Sequence, residues 1–348
     1  MKVARPFFCY FGILCACIAA CFGTAGAVDA QDEPGFQAFL KDIGKQAAAQ
    51  GVSQQTIAAI LPMLTLNPRV IQLDRAQPGG TAKAPIPAFA PYRASHVDKQ
   101  RITRGQAAYQ SFRPKLAEIE RQTGVPEAIL IAIWGHETNY GDVKGNFDLP
   151  RALATLAYDG RRRELFSGEL IAALKMVDRG VPRERLVGSW AGATGNPQFL
   201  PSVYLRLARD GDGDGRADIW TSPADTLASI ASYFADAGWR AGQPWGFAVA
   251  VPANLDRAMI GSRLKSPRCA RVFERHSVWK SMAEWRALGL VPAAASWPAD
   301  EVQATLLEPD GPGKTAYLLT GNYRVILDYN CSNFYALSVG LLADAVEK

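Results

Sequence analysis

The segment Ile129-Leu-Ile-Ala-Ile-Trp-Gly-His-Glu137-Thr-Asn-Tyr-Gly141 combines an apolar helical pattern with an acidic residue near its end. Ile129, Ile133 and Glu137 are spaced four apart, so Glu137 continues the apolar stripe of the predicted helix. Gly141 predicts the helix end, where the helix dipole and partial burial both raise the pKa of a carboxyl group. A carboxyl that keeps its proton near neutral pH suits general acid catalysis, which makes Glu137 the candidate catalytic residue. A structural glutamate paired with an arginine or a backbone group is the alternative.

Two other hydrolase chemistries are disfavoured by the sequence. His136-Glu137 begins like the zinc-binding pattern His-Glu-x-x-His, but the position of the second histidine is taken by Tyr140. No Gly-x-Ser-x-Gly motif occurs in the chain, which argues against a serine hydrolase. The segment therefore favours carboxyl chemistry.

The composition is that of an ordinary globular protein. The length of 348 residues predicts about two domains or one large elaborated domain. The composition, 48% hydrophobic and 20% charged, excludes disordered, collagen-like and polytopic membrane proteins. The net charge of +5 is spread along the chain, whereas dedicated nucleic-acid binders concentrate positive charge, so no nucleic-acid partner is expected. A weak positive charge is compatible with an anionic polymer as substrate.

The pattern of apolar residues predicts a mainly α (α+β) protein with a helical body and a small β-containing part. Helical spacing predicts helices at Pro34 to Leu64, Ala128 to His136, Phe166 to Val177, Pro223 to Phe234, a capped helix from Ser277, and a last helix from about Tyr335. Alternation predicts strands at Trp245–Val251, Ala316–Leu319 and Tyr323–Tyr329. Residues 75–98, rich in Pro, Gly and Ala, are predicted to form an extended connection.

The N-terminus has the pattern of a secretory signal peptide. Lys2 and Arg5 precede an apolar run, Phe7 to Ala20, that is too short for a comfortable membrane span. Ala25-Gly-Ala27 and Val28-Asp-Ala30 both offer cleavage sites that release a soluble protein, and cleavage after Ala30 is favoured because polar residues follow. Ile18-Ala-Ala-Cys21 is a competing lipoprotein-type site that leaves a lipid anchor on Cys21. Both routes take the protein out of the cytoplasm.

Cys269 and Cys331 are the cysteines that remain in the soluble form after such cleavage. Two thiols in an oxidising compartment are expected to form one disulfide. Two unpaired buried thiols are the alternative.

A second motif, Asp210-Gly-Asp-Gly-Asp-Gly-Arg-Ala-Asp218, has the spacing of a calcium-binding loop. Acidic residues stand at loop positions 1, 3, 5 and 9, and a glycine stands at position 6 for the sharp turn. Position 12 is Thr221 instead of a glutamate, so a carboxylate at position 16 is the candidate closing ligand. The predicted ligand residues of a structural Ca²⁺ are Asp210, Asp212, Asp214, Arg216 and Asp225. A surface turn without an ion is the alternative.

Five motifs in a fixed order along the chain point to one known family. They are Gly135-His-Glu-Thr-Asn-Tyr-Gly141, Arg161-Arg-Arg163 followed by Phe166-Ser-Gly-Glu-Leu170, Ser189-Trp-Ala-Gly-Ala-Thr-Gly-Asn-Pro-Gln-Phe-Leu-Pro-Ser-Val-Tyr204, the Asp-Gly loop ending in Ile219-Trp220, and Tyr329-Asn-Cys-Ser-Asn-Phe-Tyr-Ala336. Together they resemble the motifs of the lytic murein transglycosylases of the B type, and the resemblance covers roughly residues 34–345.

The resemblance implies a lysozyme-like helical fold that acts on peptidoglycan glycan strands, with no organic cofactor. It implies that Glu137 is the sole acid/base and that the products carry 1,6-anhydro ends. The substrate-binding residues that it implies are Arg161, Arg162, Gln198, Tyr329, Asn330 and Tyr335. The chain departs from the family pattern at Arg163, where a small residue is common, and by one extra residue between Trp220 and Asp225.

The expected organisation follows from these motifs. Residues 1–30 form the signal peptide, 31–96 a helical segment and extended linker, 97–240 the lysozyme-like catalytic core, and 241–348 a small β-containing part and C-terminal helix that complete the cleft. A periplasmic location is expected, with cell-wall synthesis or division proteins as a partner class left open. A hydrolytic muramidase, a non-catalytic peptidoglycan-binding scaffold and a calcium-regulated binding module remain alternative functions.

Overall fold

The structure is a computed structural model that describes residues 32–77, 86–261, 270–293 and 296–348. The predicted signal peptide, the anchor site Cys21 and Cys269 lie outside the described residues. The chain divides into two compact units. Unit 1 is formed by Ile86–His136 and Ile230–Lys348, and unit 2 by residues 32–77 together with Glu137–Ser229. These units interleave along the chain, whereas the predicted segments follow one another, so the predicted boundaries stay predictions.

Helices make up most of both units. The α-helices are α1 (Glu33–Ala49), α2 (Gln54–Ile60), α3 (Pro68–Arg75), α4 (Phe89–His96), α5 (Lys99–Ser111), α6 (Arg113–Thr123), α7 (Glu127–Thr138), α8 (Leu149–Asp159), α9 (Arg163–Asp178), α10 (Pro201–Leu207), α11 (Pro223–Asp236), α12 (Ala270–Phe273), α13 (Met282–Ala287), α14 (Gly321–Tyr329) and α15 (Asn333–Val346). The strands are β1 (Phe147–Asp148), β2 (Val187–Gly188), β3 (Gly246–Ala250), β4 (Lys280–Ser281), β5 (Val291–Pro292), β6 (Gln303–Leu307) and β7 (Ala316–Leu319).

Unit 2 is built around α8 and α9, which pack along each other. Small and aliphatic side chains are buried on both helices, namely Ala152, Leu153, Leu156, Leu170, Ala173 and Leu174. Helix α1 packs on both of them, α3 on α8, and α10 on α9. A short antiparallel pair, β1 and β2, places Phe147 opposite Gly188. The chain segments that hold the site described below flank this framework in the sequence: residues 137–141 precede α8, and residues 189–200 follow β2.

Unit 1 contains an antiparallel sheet of five strands in the order β4-β6-β7-β3-β5. Leu306 of β6 lies opposite Leu318 of β7, and both are buried with Met282 and Trp285 of α13. The side chain of Trp285 also donates a hydrogen bond from Nε1 to the Ala304 carbonyl at 3.1 Å, which fixes α13 to the sheet. Helix α15 packs against α4 and α5.

The described residues include no single helix that is both long and apolar enough to cross a membrane. Gln54–Met63 and Pro68–Arg75 pass that test only as a pair, with a bend of 81° between them. The pair passes on length and composition alone.

The predicted class, mainly α with a small β part, is confirmed, but the strand predicted at Tyr323–Tyr329 is wrong. These residues form α14, whose first turn is capped by Thr320 accepting a hydrogen bond from the Asn322 N–H at 3.2 Å. Tyr323, Ile326 and Leu327 are all fully buried, which is helical spacing. A short apolar run is compatible with both a helix and a strand, and here the helix is stabilised by packing on α15.

The extended connection predicted at residues 75–98 is also wrong in part, because α4 forms within it at Phe89–His96. Phe89 is buried, its ring centroid lies 5.3 Å from that of Phe334, and its N–H donates to Asp310. These contacts are distant in sequence and override the local composition. The helix predicted from Ser277 begins instead at Met282, capped by Ser281.

Candidate active site

Glu137 lies in the last turn of α7, where the sequence places it. The residues before it, from Ile129 to Trp134, are buried, whereas Glu137 itself is partly exposed. The helix ends one residue later, at Thr138. The carboxyl is therefore carried by the end of an apolar helix, on a residue that remains partly exposed.

The chain leaves α7 through three successive left-handed residues. Asn139, Tyr140 and Gly141 have φ angles of 51°, 60° and 94°. Only glycine adopts this region freely, and other residues lose about 1–2 kcal/mol there. Hydrogen bonds to Thr138 offset this conformational cost. The Thr138 carbonyl accepts from the Gly141 and Val143 N–H groups at 3.1 and 3.0 Å, and its hydroxyl oxygen accepts from the Gly141 N–H at 3.2 Å. Strained backbone held in this way is typical of functional sites.

Thr138 also connects the end of α7 to the segment between β2 and α10. Its hydroxyl donates to the Asn196 carbonyl at 3.1 Å, and both residues are buried. Asn196 donates from its backbone N–H to the Ile219 carbonyl at 2.8 Å and from Nδ2 to the Thr226 hydroxyl at 3.0 Å. A buried polar chain thus fixes the backbone next to Glu137.

Gln198 lies at the tip of a small hairpin in the same segment. Thr194 and Phe199 close the hairpin by exchanging N–H···O bonds of 2.8 and 3.0 Å. Gln198 has a left-handed φ of 50°, and its Nε2 donates to the Gly195 carbonyl at 3.0 Å and faces the Lys144 carbonyl at 3.5 Å. The amide N–H groups therefore hold the local backbone, and a contact with substrate stays a prediction.

Arg161 and Arg162 converge on Asp74, a buried residue of α3. Arg161 Nη1 lies 3.1 Å from the carboxylate and 2.8 Å from the Asp74 carbonyl, and Arg162 Nη2 lies 2.6 Å from the other carboxylate oxygen. The Arg161 side chain is still 49% exposed, and that of Arg162 is 28% exposed. Both arginines thus have a structural partner, and the Arg161 side chain stays half exposed.

Tyr329, Asn330 and Tyr335 belong to unit 1, and the structure buries all three. The ring of Tyr329 packs against Tyr233 at a centroid distance of 4.7 Å, and Asn330 ends α14. Tyr335 lies in the first turn of α15, with its ring centroid 5.6 Å from that of His136. Their expected contacts with sugars stay predictions.

His136, which precedes Glu137, was not singled out by sequence reasoning as part of the site. Burial lowers the pKa of its ring to about 3, and the charge of Arg101 acts in the same direction. The ring is therefore neutral at all pH values near 7. Its Nε2 is buried and has no hydrogen-bond partner among the described residues.

The other carboxylates near Glu137 in the sequence are used in local structure. Asp148 accepts a hydrogen bond from the Arg151 N–H at the start of α8 and forms an ion pair with Arg183 at 2.5 Å. Asp159 pairs with Arg75 at 2.7 Å. Asp142 lies 3.4 Å from Nδ2 of Asn139. Each of these acids therefore has a positively charged or amide partner.

The Asp-Gly loop gathers the three predicted acidic ligands. The side chains of Asp210, Asp212 and Asp214 each bring a carboxylate oxygen within 4.8 Å of the others, and all three residues are exposed. Carboxylates at this separation repel one another, and a divalent cation with oxygen ligands removes that repulsion. The residues present therefore fit Ca²⁺. The Arg216 N–H donates to Asp214 Oδ1 at 2.8 Å, which shapes the turn at Arg216, another of the predicted ligand residues.

Asp225 closes the loop by hydrogen bonding. Its two oxygens accept from the N–H groups of Gly211 at 2.8 Å, Asp212 at 3.3 Å and Asp218 at 2.6 Å. Burial raises the pKa of the Asp225 carboxyl, and the N–H donors partly offset that effect. Its predicted role as a metal ligand stays a prediction.

Trp220 joins the loop to the hairpin that carries Gln198. Its indole Nε1 donates to the Thr194 hydroxyl at 2.9 Å, and its carbonyl accepts from Lys144 Nζ at 2.7 Å. Sequence reasoning named Trp220 only as part of a motif and missed Thr138, Asn196 and Thr194 as site residues. The available signal was their place inside the motifs, since the burial of a small polar residue cannot be read from a pattern.

The transglycosylase SLT domain family matches residues 35–344. The membrane-bound lytic murein transglycosylase B of Escherichia coli (strain K12) is 32% identical over 325 residues, which cover 91% of this chain and 84% of that protein. SltB3 from Pseudomonas aeruginosa in complex with NAG-anhNAM-pentapeptide has a TM-score of 0.79 and 38% identity, covering 90% of this chain and 79% of that chain. The Escherichia coli lytic transglycosylase Slt35 in complex with calcium has a TM-score of 0.71 and 28% identity, covering 92% of this chain and 98% of that chain.

These similarities extend over nearly the whole chain and agree with the ordered motifs. The similar solved structures are lytic transglycosylases, which confirms the lysozyme-like class expected for the helical fold. Sequence and structure lead to the same family. This chain belongs to the lytic murein transglycosylases of the B type and is an enzyme of that family.

Proposed function

We propose that this enzyme cleaves the β-1,4 bond between N-acetylmuramic acid and N-acetylglucosamine in peptidoglycan without consuming water. The products carry 1,6-anhydro-N-acetylmuramic acid ends. The substrate class is supported by SltB3, which has been solved with NAG-anhNAM-pentapeptide and with NAG-NAM-pentapeptide. The observation that carries the proposal is Glu137, a partly exposed acid at the end of an apolar helix, while the carboxylates that follow it in the sequence have other partners.

Glu137 acts first as the general acid. Its proton moves to the oxygen that links the two sugars, and the bond from this oxygen to C1 of the muramoyl residue breaks. The negative end of the α7 dipole disfavours charge on the carboxyl and therefore favours this proton transfer. Such a proton transfer contributes roughly 10²–10⁴-fold to a rate.

Glu137 then acts as the base. The C6 hydroxyl of the same muramoyl residue attacks C1, and its proton returns to the carboxylate, so that the enzyme is regenerated. The 2-acetamido group assists at C1 during the exchange. Enzymes that use two carboxylates need the second one as a nucleophile or to activate water. An internal hydroxyl removes that need, which agrees with the ion pairs of Asp148 and Asp159.

The decisive experiment is the digestion of purified sacculi by the mature protein and by Glu137→Gln, followed by mass spectrometry. The expected products from the wild type are muropeptides one water lighter than hydrolysis products, and Glu137→Gln should be at least roughly 100-fold slower. Asp142→Asn is the matched control, since it neutralises a nearby carboxyl that the mechanism does not use. Ordinary reducing ends would identify a muramidase, and binding without cleavage by either protein would identify a scaffold.

We also propose that residues 1–30 direct export to the cell envelope and that the mature enzyme works in the periplasm. The comparison supports an envelope location, since the Escherichia coli relative is named as membrane-bound. Fractionation of cells that produce the wild type or Cys21→Ser tests the anchor. Release of the variant from membranes would establish lipidation at Cys21. A soluble wild type would instead exclude the anchor, and the N-terminal sequence of that protein would then show whether cleavage follows Ala30.

Ca²⁺ and the disulfide are structural elements of the same proposal. Asp210, Asp212 and Asp214 provide the carboxylate oxygens that would hold the ion, and the ion would fix the loop that carries Trp220. Cys331 is disulfide-bonded, and Cys269 is the expected partner. Intact-mass analysis of the protein without residues 1–30 should then find no alkylatable thiol before reduction, whereas two would refute the pairing.

A further inference from the structure

Arg324, on α14 of unit 1, has a guanidinium group without a carboxylate partner among the described residues. Its Nη1 is buried and donates to no partner there, and its Nη2 donates only to the Thr305 hydroxyl, at 3.4 Å. Burial lowers the pKa of Arg324 to about 10, which reflects the cost of removing the charge from water. Buried arginines are normally paired with an acid, because an unpaired buried charge is strongly unfavourable. The guanidinium therefore lacks the counter-charge that a buried arginine normally has among the described residues.

Two partly exposed aromatic rings hold this guanidinium in place. The Arg324 Cζ atom lies 4.1 Å from the ring centroid of Phe273 and 5.1 Å from that of Trp279. Both distances are within the range of a cation–π interaction, which stabilises the charge but does not neutralise it. The rings also limit the orientations of the planar fork, so the remaining donors are preorganised.

A second arginine contributes positive charge to the same region. Arg275 is partly exposed, lies 5.8 Å from the ring centroid of Phe334, and donates from Nη2 to the Pro309 carbonyl at 2.8 Å. The charges of Arg324 and Arg275 both help burial to lower the pKa of His276, so both guanidinium groups lie near that ring. Asp310 acts electrostatically on Arg275 but is not among the groups that act on Arg324.

We propose that the Arg324 cluster, defined as Phe273, Arg275, Trp279 and Arg324, binds a carboxylate of the peptidoglycan substrate. This inference rests on the proposed function. A carboxylate matches the planar fork of arginine and accepts two parallel hydrogen bonds from it. Partly exposed aromatic rings beside the charge provide an apolar surface for the groups that carry the carboxylate.

Peptidoglycan offers this chemistry from two sources. One is the stem peptide, whose carboxylates are present when the lactyl group is amide-linked to it. The other is the lactyl carboxylate, which is free only where the peptide has been removed. A chitooligosaccharide has the same sugar backbone with neither group and provides the neutral reference.

The test measures binding to the Glu137→Gln protein, so that cleavage does not interfere. Calorimetry compares NAG-NAM-pentapeptide, the same disaccharide without peptide, and a chitooligosaccharide, each with and without the further change Arg324→Gln. Arg286→Gln is the matched control. Its guanidinium also lies near a tryptophan, at 5.4 Å from the Trp297 centroid, but it is exposed and already pairs with Asp300.

Loss of a charge-assisted bond should weaken binding roughly 10- to 100-fold. Arg324→Gln should do so for the ligand with the recognised carboxylate, leave chitooligosaccharide binding unchanged, and exceed the effect of Arg286→Gln. A loss confined to the pentapeptide ligand identifies the stem peptide, and a loss confined to the peptide-free disaccharide identifies the lactyl group. Equal affinities with and without Arg324→Gln for both acidic ligands, or an equal loss for all three ligands, would overturn the proposal.

Chemical protection tests the proposal without any change at Arg324. Phenylglyoxal modifies accessible arginines, and mass spectrometry of digested protein locates the modified sites. The acidic ligand should slow the modification of Arg324 at least fivefold and leave that of Arg286 unchanged, whereas no protection would refute the site even if Arg324→Gln failed to fold. Since neither measurement uses cleavage, a failure here remains separate from a failure of the sacculus digest.

Discussion

Thr138, the residue that follows Glu137, donates a hydrogen bond of 3.1 Å from its hydroxyl to the backbone carbonyl of Asn196. The same hydroxyl and its own carbonyl hold the left-handed turn at Gly141. These contacts of the hydroxyl are with backbone atoms, so we expect Thr138 to act on catalysis by fixing the backbone that follows Glu137. It is a positioning residue.

Thr138→Val should therefore lower kcat on soluble glycan strands roughly tenfold with little change in KM, because the acid is misplaced but the substrate is still bound. Thr138→Ser keeps the hydroxyl and should restore most of the rate. Thr155→Val is the control, since Thr155 is equally buried in unit 2 and donates to the Arg151 carbonyl at 2.8 Å. If Thr155→Val lowers kcat as much as Thr138→Val at the same loss of stability, the effect is general and the positioning role is wrong.

Calcium should stabilise the protein through the Asp-Gly loop. Ca²⁺ at 100 times its Kd should add about 2.7 kcal/mol to the free energy of unfolding, and EDTA should remove this. Asp214→Asn should largely abolish the shift in Tm while keeping the oxygen that accepts from the Arg216 N–H. Asp42→Asn, which changes an exposed carboxylate paired with Lys45, should leave the shift intact. An identical Tm in EDTA and in calcium would exclude a bound ion at this loop.

The sequence predicts the long helices of the fold well and its short or distant elements poorly. The helix predicted at Ala128 to His136 forms as Glu127–Thr138. Its apolar run is long enough to distinguish a helix from a strand. The strand at Ala316–Leu319 is also found. Helix α4, in contrast, depends on the contact of Phe89 with Phe334, which no local pattern contains.

Some residues of the candidate site can be predicted from the sequence, whereas the contacts of others depend on residues distant in the chain. Glu137 and the Asp-Gly loop are predictable because their chemistry requires particular residue types at a particular spacing. The shared partner of Arg161 and Arg162 is not predictable in this way, since Asp74 is 87 and 88 residues away from them in the sequence. The burial of Tyr329 and Tyr335, which are 4% and 3% exposed, likewise depends on packing and not on the motif that contains them.

His276 should make the protein less stable in acid. Burial lowers the pKa of its ring from 6.5 to about 3, so the unfolded chain binds the extra proton first as the pH falls. The contribution of the neutral His276 ring to the free energy of unfolding is fully present above pH 6.5 and is lost as the pH falls toward 3. At pH 5 this loss is about 2 kcal/mol. His276→Gln should therefore lose about 2 kcal/mol less than the wild type between pH 7 and pH 5 in urea unfolding. The other titrating groups are common to both proteins, so parallel losses would contradict this assignment.

Arg161 and Arg162, which the family resemblance assigns to substrate binding, both contact Asp74, and we expect them to differ in how much they stabilise the fold. Arg162 is the more covered of the pair, at 28% exposure, and makes the shorter contact, at 2.6 Å. Arg162→Gln and Asp74→Asn should each lower the free energy of unfolding by about 2–4 kcal/mol, less than for a fully buried pair because the arginines are partly solvated. Asp178→Asn is the control, since that carboxylate holds Ser53 and Thr56 in the same unit without an arginine.

Arg161 is half exposed and contacts Asp74 through Nη1, so its substitution should affect substrate more than stability. Arg161→Gln should raise KM for peptide-bearing strands about threefold to tenfold, with kcat little changed, because a charge-assisted bond made equally to bound substrate and transition state is lost. Asp74→Asn should raise KM as well, since it frees the guanidinium from its fixed orientation, whereas Asp178→Asn should not. An unchanged KM in Arg161→Gln, together with a loss of stability as large as that of Arg162→Gln, would assign both arginines to the packing of α3 within unit 2 alone.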